Sequence, residues 1–403
     1  MRDAMQMIDL AKLPVIDAHC HSYLECPKEL NAEDFARYAS ILSAQPDFLK
    51  GKYVPSETQL RASKERLLKM YREQPFFNHM IRCLSRFFQC NRSLEEVVAS
   101  RNSRAVHFDE YAAELFNDAN IRGLVLDGGY PSLSENDLKC FPAKVVRIFR
   151  LETFIKDLLS RHSSFNGFLS DYQSGIDRAI REEGYVGLKS IIAYRTGLKI
   201  ARVDANDAKK DFLDAQKGRA ALDWFGPKVK RLRDFLTIKA MELSIELSVP
   251  MQIHTGVGDY QILLDQCDPG FLYELLKDDK LRHATVVLVH SGFPYNQNAA
   301  FMASVLPNVF LDFSLTIPFM NPTSHERLME ILQIAPTSKV MYGSDGFNMP
   351  ELFWFSVKVA KSALQKCFVE LHKEGIYTED EISQNSKRIL FENANELYKL
   401  QLD

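Results

Sequence analysis

Neither sign of charge dominates this chain: 50 Lys and Arg against 53 Asp and Glu leave a formal net charge of −3 and a pI near 6.4. That balance supplies neither the positive field that gathers nucleic acid nor one drawn to an acidic membrane surface. No uninterrupted apolar run reaches the ~18 residues that a membrane span requires. The start, Met1 to Lys12, carries charges and lacks the apolar core of a secretory signal, so the default location is cytoplasmic. The seven cysteines (Cys20, Cys26, Cys83, Cys90, Cys140, Cys267 and Cys367) are scattered, odd in number and without a CxxC. Such usage fits free thiols in a reducing compartment. Short-period repeats and low-complexity tracts are also missing.

What is present is an alternation. Composition is that of an ordinary globular protein, 46% hydrophobic and 26% charged over 403 residues, enough for a large core without disulfides. Short runs rich in β-branched residues recur between longer segments of helical period. They are Val15 to Ala18, Gly123 to Asp127, Val145 to Arg150, Val186 to Ile191, Pro250 to His254, Val286 to His290, Val309 to Phe313 and Val340 to Asp345. Most are apolar on both faces, as buried parallel strands are. Lys228 to Leu247, Gln297 to Leu306 and Ser383 to Leu400 carry the helical period. Eight strands with intervening helices predict an α/β fold, a (β/α)8 TIM barrel, with the whole of 1–403 as one domain. An open doubly wound sheet would carry a Gly-rich phosphate turn after its first strand, and this chain has His19-Cys20-His21 there. Two stretches exceed plain connections: about 23–120, read as a helical insertion that forms a cap beside the mouth of the barrel, and a charged excursion at about 196–225.

Residues with metal-binding chemistry gather where the strands end. His19 and His21 close the first strand, and on a strand residues i and i+2 share a face, so their imidazoles form half a metal site. Lys189 lies in the fourth strand, His254 ends the fifth, His290 the sixth and Asp345 the eighth. These are the C-terminal ends, where barrel active sites form. His and carboxylate together suit zinc, and also manganese or iron. Lys189 becomes a ligand only if CO2 carbamylates its amine; otherwise it pairs with a carboxylate or an anionic substrate. Asp345 alone could also cap the following helix. The other polar strand ends, Asp127, Arg150, Glu152, Tyr194, Arg195 and Asp312, are candidates to line a substrate pocket. Arg150, Tyr194 and Arg195 are the expected substrate contacts, the arginines by paired hydrogen bonds to a carboxylate, unless Arg150 and Glu152 neutralise each other. Cys20 points away from its flanking histidines. His79, His107, His162, His283, His325 and His372 lie in helical or loop stretches and read as structural or surface residues.

This pattern resembles the amidohydrolase superfamily, in its amidohydrolase-related (amidohydrolase 2) branch of metal-dependent hydrolases and decarboxylases. The resemblance runs from Ile16-Asp17-Ala18-His19-Cys20-His21 to Asn393-Ala394-Asn395-Glu396-Leu397-Tyr398. Lys189 to Arg195, Gln252 to Asp259, His290 to Tyr295 and Tyr342 to Asp345 are similar to the amidohydrolase domain of glutamine-synthetase-like proteins of the FluG/nodulin type. The family implies that His19, His21 and Asp345 bind the first divalent metal. With one ion, His254 joins them and His290 polarises the substrate. With two ions, a carboxylated Lys189 bridges, and His254 and His290 hold the second. The implied reaction is hydrolysis of an amide or other C–N bond of a small polar metabolite by metal-activated water, with Asp345 taking and returning the proton. A decarboxylase on the same scaffold and a non-catalytic binding barrel are the alternatives. The partner is a small molecule, neither nucleic acid nor membrane, and a homodimer is the default assembly.

Overall fold

A computed structural model of the chain describes residues 10–40, 56–129, 133–217, 229–319 and 323–403. Positions 1–9, Lys228 and the 218–225 part of the second expected insertion lie outside the described residues.

Eight parallel strands form one sheet in sequential order: β1 (Val15–Cys20), β2 (Ile121–Asp127), β3 (Lys144–Arg150), β4 (Tyr185–Ser190), β5 (Met251–His254), β6 (Val286–Val289), β7 (Val309–Asp312) and β8 (Val340–Met341). The sheet curls into a barrel. Backbone hydrogen bonds bridge its seam: Ala18 N–H to the Tyr342 carbonyl at 3.0 Å, Asp345 N–H to His19 at 2.8 Å, and His21 N–H to Gly346 at 2.8 Å. All four residues of β6, Val-Val-Leu-Val, are buried, because helices cover the outer face and side chains fill the inner one. The expected (β/α)8 barrel is therefore the observed fold.

The interior is filled from its lower end. Ile16, Ala18, Val125, Ile148, Val287, Val289 and Met341 form a cluster continuous with Phe391, Ala394, Tyr398 and Leu400 of the C-terminal segment. Val15 and Cys20 of β1 instead join the larger cluster under the helices. The β1–β2 register shifts between Asp17 and Cys20. A bulge of this kind re-aims side chains, and it turns both His19 and His21 inward above the packed layer while Cys20 stays outside.

Among the described residues five helices stand between β1 and β2: Ala32–Tyr38, Glu57–Glu73, Pro75–Phe88, Leu94–Ala105 and Phe108–Ala119. Their ends carry standard stop and start signals. Ser93 Oγ accepts the Glu96 N–H at 3.1 Å, Pro75 occupies the first turn of its helix, and Asn120 closes Phe108–Ala119 at φ 59. Phe108–Ala119 packs on the 24-residue helix Pro350–Lys373 that follows β8. No helix among the described residues is long and apolar enough to cross a membrane.

Candidate metal centre

The C-terminal strand ends surround a cavity of about 460 Å³. His19, His21, Lys189, His254, His290 and Asp345 all line it, so residues from five strands meet at one place. His19 Nε2 and His21 Nε2 lie 3.2 and 3.3 Å from Asp345 Oδ1. Lys189 Nζ is 3.1 Å from His19 Nε2. On the other side His254 Nδ1 and His290 Nε2 face each other at 3.1 Å.

The electrostatics suit ligation. Burial, with Lys189 close by, holds the His19 and His254 imidazoles well below their usual pKa; burial and His254 do the same for His290. Neutral imidazole is the form that binds metal. Burial draws the Lys189 amine down to about 8 against the opposing pull of Asp127. Asp345 Oδ1 is a buried oxygen with no hydrogen-bond donor among the described residues, although two imidazole nitrogens approach it. A divalent cation held by His19, His21 and Asp345 would satisfy that oxygen. The donor set is nitrogen and carboxylate, which fits zinc, manganese or iron alike.

Buried carboxylates support the candidate ligands from behind. Asp17 Oδ1 accepts the Ser344 N–H at 2.8 Å and its Oδ2 the Ser344 hydroxyl, next to Asp345 in sequence. Asp312 Oδ1 accepts the His290 N–H at 3.1 Å, and Ser314 Oγ lies 2.8 Å from His290 Nδ1. Desolvation outweighs these bonds, so Asp17 rises to about 7 and Asp312 to about 6.

Three expectations for the rim change. Of the six polar strand ends assigned to the pocket, Arg150, Tyr194 and Arg195 line it, whereas Asp127, Glu152 and Asp312 are buried behind it. Arg150 is neutralised by Asp127 rather than Glu152: its Nε lies 3.0 Å from both Asp127 oxygens and one Nη 2.5 Å from Oδ2. Burial alone would raise the Asp127 carboxyl, yet Arg150 holds it down at about 2. Glu152 instead accepts from Ser190 Oγ at 2.7 Å and the Ile191 N–H at 2.8 Å. Asp345 does not cap a helix, since Pro350–Lys373 begins five residues later with Met349 as its cap residue. No described residue of 23–120 lines the cavity.

The loop after β5 supplies contacts that the strand-end pattern omits. Tyr194 Oη accepts the Asp259 N–H at 2.9 Å, and its ring lies edge-on to His254 at 4.6 Å. A Cβ at Gly258 would fall 1.8 Å from Tyr194 Oη, so only glycine lets the loop close on the tyrosine. The glycines of Gly256-Val257-Gly258-Asp259 were the available signal for this close approach.

Residues 178–400, more than half of the chain, match the amidohydrolase family model. The chain belongs to the amidohydrolase family, whose members bind divalent metals; the His/Asp groups whose ligand atoms lie within 4.8 Å of one another are His19, His290 and Asp345, and His19, His21 and Asp127. It is 30% identical over 300 residues to Protein fluG of Emericella nidulans, matching 66% of this chain and 34% of that protein, so it spans about a third of that relative's length. Among solved structures, one named provisionally as a metal-dependent hydrolase from Lactobacillus casei ATCC 334 superposes with a TM-score of 0.80 at 21% identity, covering 98% of both chains. The uronate isomerase of Thermotoga maritima superposes with a TM-score of 0.66 at 14% identity, covering 98% of this chain and 96% of its own. At these identities the two superpositions speak for the fold.

Proposed function

We propose that this protein is a metal-dependent hydrolase that cleaves an amide or other C–N bond of a small polar metabolite. The observation that carries the reading is Asp345 Oδ1, a buried oxygen without a hydrogen-bond donor among the described residues, flanked at 3.2 and 3.3 Å by two imidazole nitrogens. His19, His21 and Asp345 would hold the first divalent ion, with His254 and His290 on the opposite side of the cavity. When bound, such an ion lowers the pKa of water from 15.7 toward about 7 and polarises a carbonyl. The residues of the chain do the rest. Asp345 accepts the proton of the attacking water and returns it to the leaving nitrogen. Arg150, anchored by Asp127 yet lining the cavity, and Arg195 orient an anionic group of the substrate. Tyr194 packs against His254 and limits the room for water.

Two measurements test this. Protein purified without chelators should retain at least about one equivalent of divalent metal, and chelation should remove the activity. Incubation with amides and N-acyl compounds should release amine or ammonia; release of CO2 from carboxylates instead would identify a lyase and overturn the hydrolase reading. Asp345→Asn should lower turnover by about 10²–10⁴-fold while melting close to the wild type. A near wild-type rate in that variant would remove Asp345 from the chemistry.

A further inference from the structure

We propose that Ser314 and Asp312 lock the neutral His290 ring in the tautomer with its proton on Nδ1, so that Nε2 presents a lone pair to the cavity. His290 then serves as a ligand or proton acceptor and cannot donate a hydrogen bond to a substrate carbonyl. This rests on the proposed metal centre only for what the lone pair binds; the tautomer follows from hydrogen bonds alone.

The chain of bonds begins at Asp312, fully buried at the end of β7. Its Oδ1 accepts two backbone N–H groups, from His290 at 3.1 Å and from Ser314 at 2.9 Å. An oxygen facing two N–H groups is an acceptor, and any proton on this carboxyl belongs on Oδ2, which has no partner among the described residues. Oδ1 therefore accepts in either protonation state. The Ser314 hydroxyl makes a short contact with the same oxygen and must spend its single proton there. Ser314 Oγ then offers only lone pairs to His290 Nδ1, 2.8 Å away, and Nδ1 has to be the donor. In a neutral imidazole that leaves Nε2 unprotonated. The same carboxylate oxygen thus fixes both the His290 backbone, held at φ 68, and, through Ser314, its ring.

The neighbouring histidine arrives at a matching state by a different route. His254 Nε2 lies 3.1 Å from the Val257 carbonyl oxygen, which can only accept, so its proton is on Nε2. His254 Nδ1 and His290 Nε2, 3.1 Å apart, then face each other with two lone pairs. Such a pair repels unless a cation joins it. Of the two roles that family resemblance leaves for His290, ligation and polarising donation, the hydrogen bonds exclude the second. Asp312 and Ser314 act through His290 and are positioning residues, in the way that partners behind a metal ligand fix its tautomer.

The test is spectroscopic and needs no substrate. Histidine is labelled with 15N in the metal-free protein, and long-range proton–nitrogen correlations are recorded above neutral pH, with His290 assigned by the loss of its signals in His290→Asn. The wild type should show a protonated Nδ1 and an unprotonated Nε2. Ser314→Ala should transfer most of the proton to Nε2, whereas Asp312→Asn, whose amide oxygen still accepts at the Oδ1 position, should keep it on Nδ1. A wild-type His290 protonated on Nε2 overturns the proposal, as does a Ser314→Ala spectrum with the tautomer unchanged. The wild-type spectrum decides the tautomer even if a variant fails to fold. Failure of the protein to bind any divalent ion would overturn the proposed function and leave this result standing.

Discussion

Asp345 and His290 both sit in left-handed backbone, at φ 56 and φ 68, a region that costs a residue with a side chain on the order of 1–3 kcal/mol. Each is held there by its own N–H donating to a neighbouring strand: Asp345 N–H to the His19 carbonyl at 2.8 Å, His290 N–H to the Asp312 side chain at Oδ1, 3.1 Å. The side-chain supports follow the same plan, with a buried aspartate and a serine behind each of these residues. Ser344→Ala removes one donor from the fully buried Asp17 carboxyl and leaves it the backbone N–H groups of Ser344 and His19. The expected loss is about 1–3 kcal/mol, read as a lower urea midpoint at unchanged slope; a loss below about 0.5 kcal/mol would show that the hydroxyl contributes little. His19, His21, Lys189, His254, His290 and Asp345 could be picked out in the sequence because metal-ligand types ending apolar strands are rare by chance. Asp312 could be picked out only as a candidate pocket residue, and Ser314, Asp17 and Ser344 not at all. A carboxylate that supports a histidine from behind and one that faces substrate both end strands, and only the side to which the chain turns separates them.

At the scale of elements, the helices between β1 and β2 are tied to the barrel by a buried charge. Arg101 in Leu94–Ala105 and Glu351 in Pro350–Lys373 are both fully buried, with Nε 2.9 Å from Oε1. Tyr111 Oη donates to the same Glu351 oxygen at 2.9 Å, and an Arg101 Nη donates to the Lys28 carbonyl at 2.5 Å. Removing one partner strands the other charge in a dry interior. Arg101→Met should therefore cost about 3–5 kcal/mol, and Arg101→Met combined with Glu351→Met should recover a large part of it. Chemical denaturation of the two single variants and the double one closes the cycle; strictly additive losses would mean that the pair is not coupled. The described helices of 23–120 were legible in the sequence, since helical period is a local signal. The sequence did not show where those helices dock. That depends on a contact 250 positions apart, Arg101 with Glu351, that no local pattern carries. The strands were legible for the opposite reason: most of them bury both faces, and a run of β-branched residues records this locally.

For the whole molecule, the barrel works as a frame with chemistry at one end and a plug at the other. Phe391, Ala394, Tyr398 and Leu400 close the lower interior, and Gln252 Nε2 spans 2.8 Å both to Tyr398 Oη and to the Ala18 carbonyl. Ala18 precedes His19, so the plug reaches the strand that carries the first two histidines. The C-terminal helical period announced a packed segment, but its place beneath the barrel follows from closure of the sheet, which only the three-dimensional arrangement supplies. Two consequences can be separated by experiment. Phe391, 4% exposed, fills the interior alongside Ile16 and Met341, and Phe391→Ala should cost about 3–5 kcal/mol through lost burial and a residual cavity. On the proposed metal centre, the variant's metal stoichiometry should match the wild type at temperatures where it stays folded, because the layer of Ile16, Ala18 and Val289 lies between the space left by Phe391 and the candidate ligands. Denaturation and metal analysis on the same preparation report the two effects. A variant that lost its metal while folded would mean that the lower core sets the ligand geometry directly. Retention would mean that the seam bonds of β1 and β8 and the buried Asp–Ser pairs suffice to hold it.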